Sequence, residues 1–269
     1  MTGPNGMPDA NGWDATVDAY ARFAEPDTGA FAAPMLALAE VTPGEAALDV
    51  AAGTGALTLP LATTGARVTA IDWSPGMAAY LRHRLERERP GGPHRSLAMD
   101  GQALQFDDGG FDVVLSLFGV MLFPDFRAGL AEMARVTRPG GRCVVGCWAE
   151  LAAPMRLFHD AVALAAPDMP VPFAIPGMEA MGSAEGMRAE LERVGLTEVT
   201  TRRVTLPWSL SRREVAATAD RMMAQIPPWP LLSSDQRDAV LTAMAELAER
   251  DADAPFDSTA LIGCARKPG

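Results

Sequence analysis

The chain has 269 residues, of which 48% are hydrophobic, so it can bury a substantial core. Its net charge of −11 argues against nonspecific binding to nucleic acid or an anionic membrane, because a phosphate-binding face needs clustered Lys and Arg. The three cysteines are an odd number without a Cys-x-x-Cys pair, which excludes a disulfide framework and gives no reason to expect a bound metal.

The N-terminal residues show no basic run followed by an apolar segment, and no uninterrupted apolar run reaches the roughly eighteen residues of a membrane span. We therefore expect a soluble, cytoplasmic protein whose partner is a small molecule, with no nucleic acid and no membrane. The sequence leaves open whether two copies of the chain form a homodimer.

Residues 1–12 are rich in Gly, Pro and Asn, which predicts a flexible tail. From Trp13 to Glu40, apolar residues recur at helical spacing, interrupted by Pro26, Gly29 and Pro34. This pattern predicts two helices within the segment 13–44, before the first strand.

An apolar run at 46–51 leads directly into a turn of small residues that opens a helix. In this turn Gly53 and Gly55 can adopt positive φ and carry no Cβ, so the backbone can approach a bound molecule. The next apolar run ends at Asp72, whose carboxylate would lie beside the turn. A carboxylate there can accept hydrogen bonds from both hydroxyls of a ribose, so the segment predicts a nucleoside site.

Strand and helix patterns alternate across the segment 45–150, with helices near 55–64, 75–89 and 125–137. This alternation predicts a parallel sheet with helices on both faces, whose ligands bind at the carboxyl ends of the strands. The strands are expected near 46–51, 67–71, 95–99, 112–117 and 142–148.

After Glu150 the pattern predicts helices near 152–165, 183–194, 211–225 and 233–250, a Pro-rich and Met-rich loop at 167–182, and strands at 197–207 and 258–265. Met-rich surfaces adapt to irregular ligands, so this half favours the walls of a pocket for an apolar or aromatic molecule. Core packing is the alternative for each of these side chains. The expected substrate-binding residues are Phe118, Phe173, Met178, Trp208, Met222 and Trp229.

The Gly-rich turn resembles motif I of the class I S-adenosylmethionine-dependent methyltransferases. This motif has the pattern acid-x-Gly-x-Gly-x-Gly. Asp49 matches its acid, and Gly53 and Gly55 match its second and third glycines. Ala51 replaces the first glycine, which is a mild departure because Ala is small. The resemblance continues in order through the acidic loop and strand at 99–114 and the Pro-Gly-Gly turn within 130–142. The closest subgroup is the small-molecule enzymes resembling the ubiquinone and menaquinone methyltransferases.

This resemblance implies an α/β, Rossmann-like, doubly wound sheet of seven mostly parallel strands with an antiparallel last strand. Helices at 13–44 would cover the cofactor, and residues 45–150 would form the S-adenosylmethionine-binding core. Residues 151–269 would complete the sheet and carry two substrate-binding insertions, the 167–182 loop and a helical lid at 208–256.

By resemblance, Asp49 anchors the turn and the methionine amine, Trp73 and Met77 flank the adenine, and a carboxylate at position 100 accepts a hydrogen bond from the adenine amine. S-adenosylhomocysteine is the expected product of the cofactor. The full set of expected cofactor-binding residues is Tyr20, Asp49, Ala51, Gly53, Thr54, Gly55, Asp72, Trp73, Met77, Asp100, Gly101, Gln102, Ser116 and Leu117.

The function these features favour is methyl transfer to the O, N or C atom of a small, fairly apolar natural-product or quinone-type molecule in a biosynthetic pathway. His159 is a candidate proton acceptor, with an exposed or structural role as the alternative. Two further alternatives are an enzyme of the same fold that binds the cofactor without transferring its methyl group, and an NAD(P)-dependent oxidoreductase. Thr58 argues against the oxidoreductase, because the dinucleotide fingerprint has Gly or Ala at that position.

Overall fold

The computed structural model describes residues 10–168, 175–224 and 228–269. Its strands are β1 (Ala46–Val50), β2 (Arg67–Asp72), β3 (Arg95–Ala98), β4 (Phe111–Leu117), β5 (Thr137–Trp148), β6 (Thr197–Pro207) and β7 (Asp257–Arg266). They form one sheet in the order β3-β2-β1-β4-β5-β7-β6. Strand β7 is antiparallel to both β5 and β6, whereas β1 to β5 pair in parallel. The predicted fold class is confirmed.

The helices α5 (Thr58–Ala62), α6 (Pro75–Glu88) and α7 (Phe126–Val136) connect the parallel strands. Strand order reverses between β1 and β4, which are neighbours in the sheet although two strands separate them in sequence. The central strands are buried on both faces, as their continuous apolar runs require. The carboxyl ends of β1, β2, β4 and β5 therefore meet at one edge, beside the point of reversal.

The N-terminal segment contains four short helices rather than the two expected: α1 (Ala10–Asp14), α2 (Val17–Phe23), α3 (Glu25–Ala30) and α4 (Ala32–Ala39). Residues 10–12 are thus helical rather than part of a tail, and residues 1–9 lie outside the described residues. Ala24 alone separates α2 from α3, and Phe31 alone separates α3 from α4. Neither residue is Gly or Pro, so the sequence does not indicate these helix ends. Only Pro26 acts as expected, in the first turn of α3, where a missing N–H costs little.

Two acidic residues form hydrogen bonds and an ion pair between these helices and the segments that connect the strands. Asp14 accepts a hydrogen bond from the backbone N–H of Gly76 at 2.8 Å and another from the Ser74 hydroxyl. Glu25 forms an ion pair with Arg84 at 2.5 Å and accepts a hydrogen bond from the Thr54 hydroxyl. The N-terminal helices consequently lie across the Gly-rich turn and the start of α6.

The second half adds α8 (Ala153–Ala165), α9 (Pro176–Met181), α10 (Ala184–Arg193), α11 (Arg212–Met222) and α12 (Ser234–Arg250). The loop expected at 167–182 is therefore partly helical, because Pro176 can occupy the first turn of α9. Helices α8, α11 and α12 build a second apolar core, separate from the core around the sheet. In the described parts of the chain, no helix is long and apolar enough to cross a membrane.

Candidate cofactor and substrate site

The Gly-rich turn after β1 depends on two glycines in left-handed conformations. Gly53 has φ of 55° and Gly55 has φ of 114°. This backbone conformation requires glycine at position 55, where a Cβ would also displace a methyl carbon of Leu81 2.7 Å away. The turn therefore exposes backbone rather than side chains at the carboxyl end of β1.

Asp72 connects the end of β2 to this turn. Its Oδ2 accepts the Gly53 N–H at 2.8 Å and its Oδ1 accepts the Ser74 N–H at 2.9 Å. Burial raises the pKa of the Asp72 carboxyl, and these two hydrogen bonds oppose that rise. Each carboxylate oxygen still has a lone pair available, so both can accept hydrogen bonds from a pair of neighbouring hydroxyls.

Ala51 adopts a positive φ of 58°, in the left-handed region that disfavours residues with a Cβ. Replacing the first motif glycine by Ala is therefore not the mild departure expected from its small size, because the cost lies in backbone conformation. The Cβ of Ala51 also fills the space that a side chain at Gly119 would occupy. The two positions are sterically coupled across the strand ends.

Asp49 is a buried carboxyl near the end of β1, with 1% of its surface exposed. Its Oδ2 accepts a hydrogen bond from the Thr58 hydroxyl at 2.6 Å, and no cation pairs with it among the described residues. Burial raises the pKa of Asp49 to about 7, the Thr58 hydrogen bond opposes that rise, and the nearby Asp72 adds to it. Thr58 thus has a role that sequence comparison did not reveal, as the donor that partly satisfies this acid.

Asp49 should make the free protein less stable as pH rises from about 4 to about 7. In that interval the unfolded chain loses the proton of this carboxyl while the folded chain retains it, so unfolding is increasingly favoured. We expect Asp49→Asn to gain stability relative to wild type across this interval, with a constant difference above pH 7. Urea denaturation at pH 5, 6, 7 and 8 measures it.

The matched control is Asp112→Asn. Arg138 and the Ala46 N–H hold the pKa of Asp112 below its usual range, so this acid contributes stability that is lost on acidification. Its substitution should destabilise the protein at neutral pH, the opposite sign. A pH-independent difference for Asp49→Asn would contradict the assignment.

A cavity of about 650 Å³ opens at this edge of the sheet, between the strand ends, the N-terminal helices and the second core. One end is formed by Gly53, Asp72 and Trp73, the last with 37% of its surface exposed. The rest of the lining, called here the apolar end, is mainly apolar, although Asp18, Arg22, Asp220 and Arg221 also line the cavity. Its walls include Phe118, Met121, Trp148, Met155, Ile175, Met178, Trp208, Met222 and Met223.

Three aromatic rings meet beneath the apolar end. Phe118 stacks on Trp148 with ring centroids 3.7 Å apart and planes 10° apart, and Phe31 stands perpendicular to both. Phe118 itself has a positive φ of 62°, which is strained for a bulky residue. The packed rings hold this strained conformation, and Phe118 and Trp148 both line the cavity at the ends of β4 and β5.

A model of the methyltransferase-domain family matches residues 48–145, the part of the chain that carries the turn, Asp72 and Phe118. Demethylmenaquinone methyltransferase of Corynebacterium efficiens is 44% identical over 119 residues, which are 43% of this chain and 46% of that protein. Its counterpart in Mycolicibacterium gilvum is 47% identical over 107 residues, 39% of this chain and 43% of that protein. Residues 48–145 are thus similar to a methyltransferase domain.

These matches in sequence cover only part of the chain, and the chain spans about half the length of the curated relatives it matches. An uncharacterized protein of Mycobacterium tuberculosis is 36% identical over a longer stretch of 172 residues, which covers 60% of this chain and 59% of that protein.

Solved structures extend the likeness of fold beyond residues 48–145. The cyclase SpnF matches with a TM-score of 0.59 and 16% identity, over 90% of this chain and 82% of that one. A phosphoethanolamine N-methyltransferase of Haemonchus contortus, in complex with phosphomonomethylethanolamine and S-adenosylhomocysteine, matches with a TM-score of 0.55 and 16% identity, over 88% of this chain and 52% of that one. At such low identity these matches speak for the fold alone.

Around residues 48–145, the structure brings many of the expected site residues to one cavity. Tyr20, Ala51, Gly53, Asp72, Trp73, Met77 and Leu117 line it on the side of the turn, and Phe118, Met178, Trp208 and Met222 line it on the apolar side. A Cβ at Gly53 would lie 3.5 Å from the Tyr20 ring, so this ring lies over the turn. Burial raises the pKa of Tyr20 to about 12, which keeps its hydroxyl protonated.

Other expected residues, Asp49 among them, do not line the cavity. Asp100 forms a local turn in which its Oδ1 accepts the Gln102 N–H at 2.8 Å, and Gly101 packs so closely on the Phe123 ring that a Cβ would lie 2.5 Å from it. Thr54 and Gly55 belong to the turn but face Glu25 and Leu81 instead. The Ser116 hydroxyl accepts the Val120 N–H at 3.0 Å.

Two expected site residues are placed away from the cavity, and one is not described. Trp229 is buried in the second core beside Phe158. An indole can bury its apolar surface in a core as well as in a cavity wall. His159 lies on α8 and does not line the cavity. Phe173 lies outside the described residues.

Sequence analysis missed Trp148 and Phe123 as wall residues. Trp148 could have been found, because it ends β5 at the ligand-binding edge of the sheet. Phe123 carries no such positional signal. In the described ranges, no cluster of three or more His, Cys, Asp or Glu side chains is placed to hold a metal ion.

Proposed function

We propose that this chain is an S-adenosylmethionine-dependent methyltransferase acting on a small, fairly apolar substrate. The observation that carries the proposal is Asp72, which lines the cavity while accepting the N–H of Gly53 in the Gly-rich turn. A nucleoside bound there would find a bare backbone turn and an acid at ribose distance. The apolar end of the same cavity leaves room for a second molecule.

The residues present fit this cofactor. Asp72 would hold the ribose hydroxyls, and the exposed indole of Trp73 with Met77 would contact the adenine. Asp49 is buried without a cationic partner among the described residues, and a ligand that carries a sulfonium and an ammonium would lower its pKa and favour its charged form. S-adenosylmethionine supplies a methyl group that its positive sulfur has already activated.

The contribution of the protein would then be mainly positioning and the exclusion of water. Phe118 and Trp148 would line the cavity beside the substrate, and the N-terminal helices cover the turn. Among the described lining residues, the ionisable side chains are Asp18, Tyr20, Arg22, Asp72, Asp220 and Arg221, and all of them lie on the N-terminal helices, β2 or α11. None is on the apolar strand ends, so we propose a reaction without a protein base at the reacting atom.

Three further features belong to the same proposal. The helical segment 208–256 would act as the lid over the substrate, and the 167–182 segment would complete its wall. The protein would work in the cytoplasm without nucleic acid, as its acidic balance favours. A homodimer would leave the cavity of each subunit complete, because one chain supplies all the described lining residues.

Calorimetric titration with S-adenosylmethionine, S-adenosylhomocysteine and NADH tests the cofactor. We expect the first two to bind at one site per chain and NADH not to bind. Substrates are then screened by formation of S-adenosylhomocysteine together with a mass increase of one methyl group in the product. Turnover of a substrate without that mass increase would favour a non-methylating reaction, and binding of NADH alone would overturn the proposal.

A further inference from the structure

Helix α3 contacts both ends of the cavity through two acidic side chains. Glu25 accepts a hydrogen bond from the Thr54 hydroxyl in the Gly-rich turn and pairs with Arg84 of α6. Two residues later, Asp27 accepts hydrogen bonds from the backbone N–H and the hydroxyl of Ser209, at 2.5 and 2.8 Å. Positions i and i+2 of a helix point to different sides. One short helix therefore connects the cofactor turn to the segment that follows β6.

Ser209 belongs to the wall of the apolar end, because it follows the lining residue Trp208. The backbone N–H of Trp208 donates to the carbonyl of Phe256 at 2.9 Å, so this part of the wall is held between the start of β7 and α3. Asp27 has 4% of its surface exposed, and burial raises the pKa of its carboxyl while the hydrogen bonds from Ser209 oppose that rise. Separation of α3 from Ser209 would leave this acid without its partners, which is costly if it stays buried.

Helices α2 and α3 have little apolar core of their own. None of the residues of α2, all of which are described, is fully buried, and the buried residues of α3 are the polar Asp27 and Thr28. Instead, α2 lines the cavity with Ala19, Tyr20 and Phe23. Helices this short are not stable alone, so the position of α2 and α3 depends on their polar contacts and on what fills the cavity beneath them.

We propose that Asp27 is a positioning residue that couples cofactor binding to assembly of the substrate end of the cavity. This inference rests on the proposed function. A cofactor bound at the turn lies under the Tyr20 ring and favours the docked position of α2 and α3. In that position Asp27 holds Ser209, and with it the wall at Trp208. The cofactor therefore binds first, and the substrate binds to the wall that it has completed.

Hydrogen exchange of the backbone amides tests this with S-adenosylhomocysteine as the only ligand. Mass spectrometry of overlapping peptides compares the free protein with the saturated one. Asp27→Asn leaves one acceptor oxygen for two donors, and Ser209→Ala removes the hydroxyl donor alone. Glu190→Gln is the matched control, because Glu190 is also a buried acid, paired with Arg127 and Arg193, and none of these three residues lines the cavity.

In wild type and Glu190→Gln, we expect S-adenosylhomocysteine to slow exchange in α2, in α3 and at residues 208 and 209 by about fivefold, the lower end of the usual coupling between two sites. In Asp27→Asn the slowing at 208 and 209 should fall to about twofold or less, with Ser209→Ala between the two. The exposed contact of Arg221 with the Phe23 ring, 5.6 Å from its centroid, accounts for what remains. A purely structural role of Asp27 would raise exchange with and without ligand alike and leave the ratio unchanged.

Bound S-adenosylhomocysteine that slows nothing at 208 and 209 in wild type, or slows exchange there equally in Asp27→Asn, would overturn the inference. If Asp27→Asn does not fold, the ratio in Ser209→Ala against wild type decides between the same outcomes. Failure of S-adenosylhomocysteine to bind wild type is a separate result, since it would overturn the proposed function on which the coupling rests.

Discussion

Replacing Asp72 by Ala is expected to weaken binding of S-adenosylhomocysteine by at least a hundredfold. In the folded protein this carboxylate already accepts the Gly53 and Ser74 N–H groups, so it is fixed in position before the ligand arrives. Hydrogen bonds to a charged acceptor contribute about 1.5–3 kcal/mol each, so two ribose hydroxyls would account for about 3–6 kcal/mol. The substitution also frees the Gly53 N–H and loosens the turn itself.

Asp72→Asn removes the negative charge of the side chain and keeps its shape. It keeps one carbonyl oxygen and should lose less affinity than Asp72→Ala. Asp107→Ala is the matched control, because Asp107 is an exposed acid in a groove at the opposite ends of the strands. Calorimetry on the three variants, with their thermal unfolding measured alongside, checks the prediction. Equal affinities in Asp72→Ala and Asp107→Ala would remove Asp72 from the cofactor site.

Gly119→Ala is expected to destabilise the protein by about 1–3 kcal/mol, the usual range for overpacking a filled interior. The reason is space rather than backbone conformation. Gly119 has φ of −88°, which any residue can adopt, but its new Cβ would lie 2.3 Å from the Cβ of Ala51. The strand ends at the cofactor turn would have to separate. Urea denaturation of the free protein measures the loss.

Ala51→Gly should recover most of that loss in the double variant. It removes the opposing Cβ and leaves the added methyl group 3.2 Å from the Ala51 carbonyl oxygen and the Ser116 hydroxyl, which small shifts can relieve. Alone, Ala51→Gly should be neutral or slightly stabilising, because relief of the left-handed strain offsets the added flexibility of the unfolded chain. Additive effects of the two substitutions would contradict the proposed steric coupling.

The features that sequence predicted well are those set by residues close together in the chain. Asp72 lies beside Gly53 because the two residues lie at the ends of neighbouring strands of one βαβ unit, and such units have right-handed crossovers. This placement depends little on the rest of the molecule. Ser183, Ser211 and Ser233 all cap helices at the expected positions, since capping is equally local. The parallel pairing of β1 to β5 followed from the alternation of strands and helices.

The features that sequence missed depend on distant contacts. The stack of Phe118 on Trp148 joins two strands with Phe31 from before the first strand, and no spacing in the chain encodes that meeting. Asp14 at the end of α1 and Glu25 at the start of α3 contact α6 and the turn, which lie far from them in the chain. Trp229 and Trp208 have similar sequence surroundings, yet tertiary packing buries one in a core and places the other in a cavity wall.

The cysteines provide a natural probe of this fold. All three are buried and free, and burial raises the pKa of Cys143 and Cys147 to about 12, so their thiols are inert while the sheet is closed. Two lie on β5 and Cys264 lies on the neighbouring strand β7, between the central strand β4 and the edge strand β6. Alkylation of the native chain therefore requires this side of the sheet to open, and its rate becomes a measure of that opening. A ligand that binds only the closed form would slow the alkylation in proportion to its occupancy, without any engineered label.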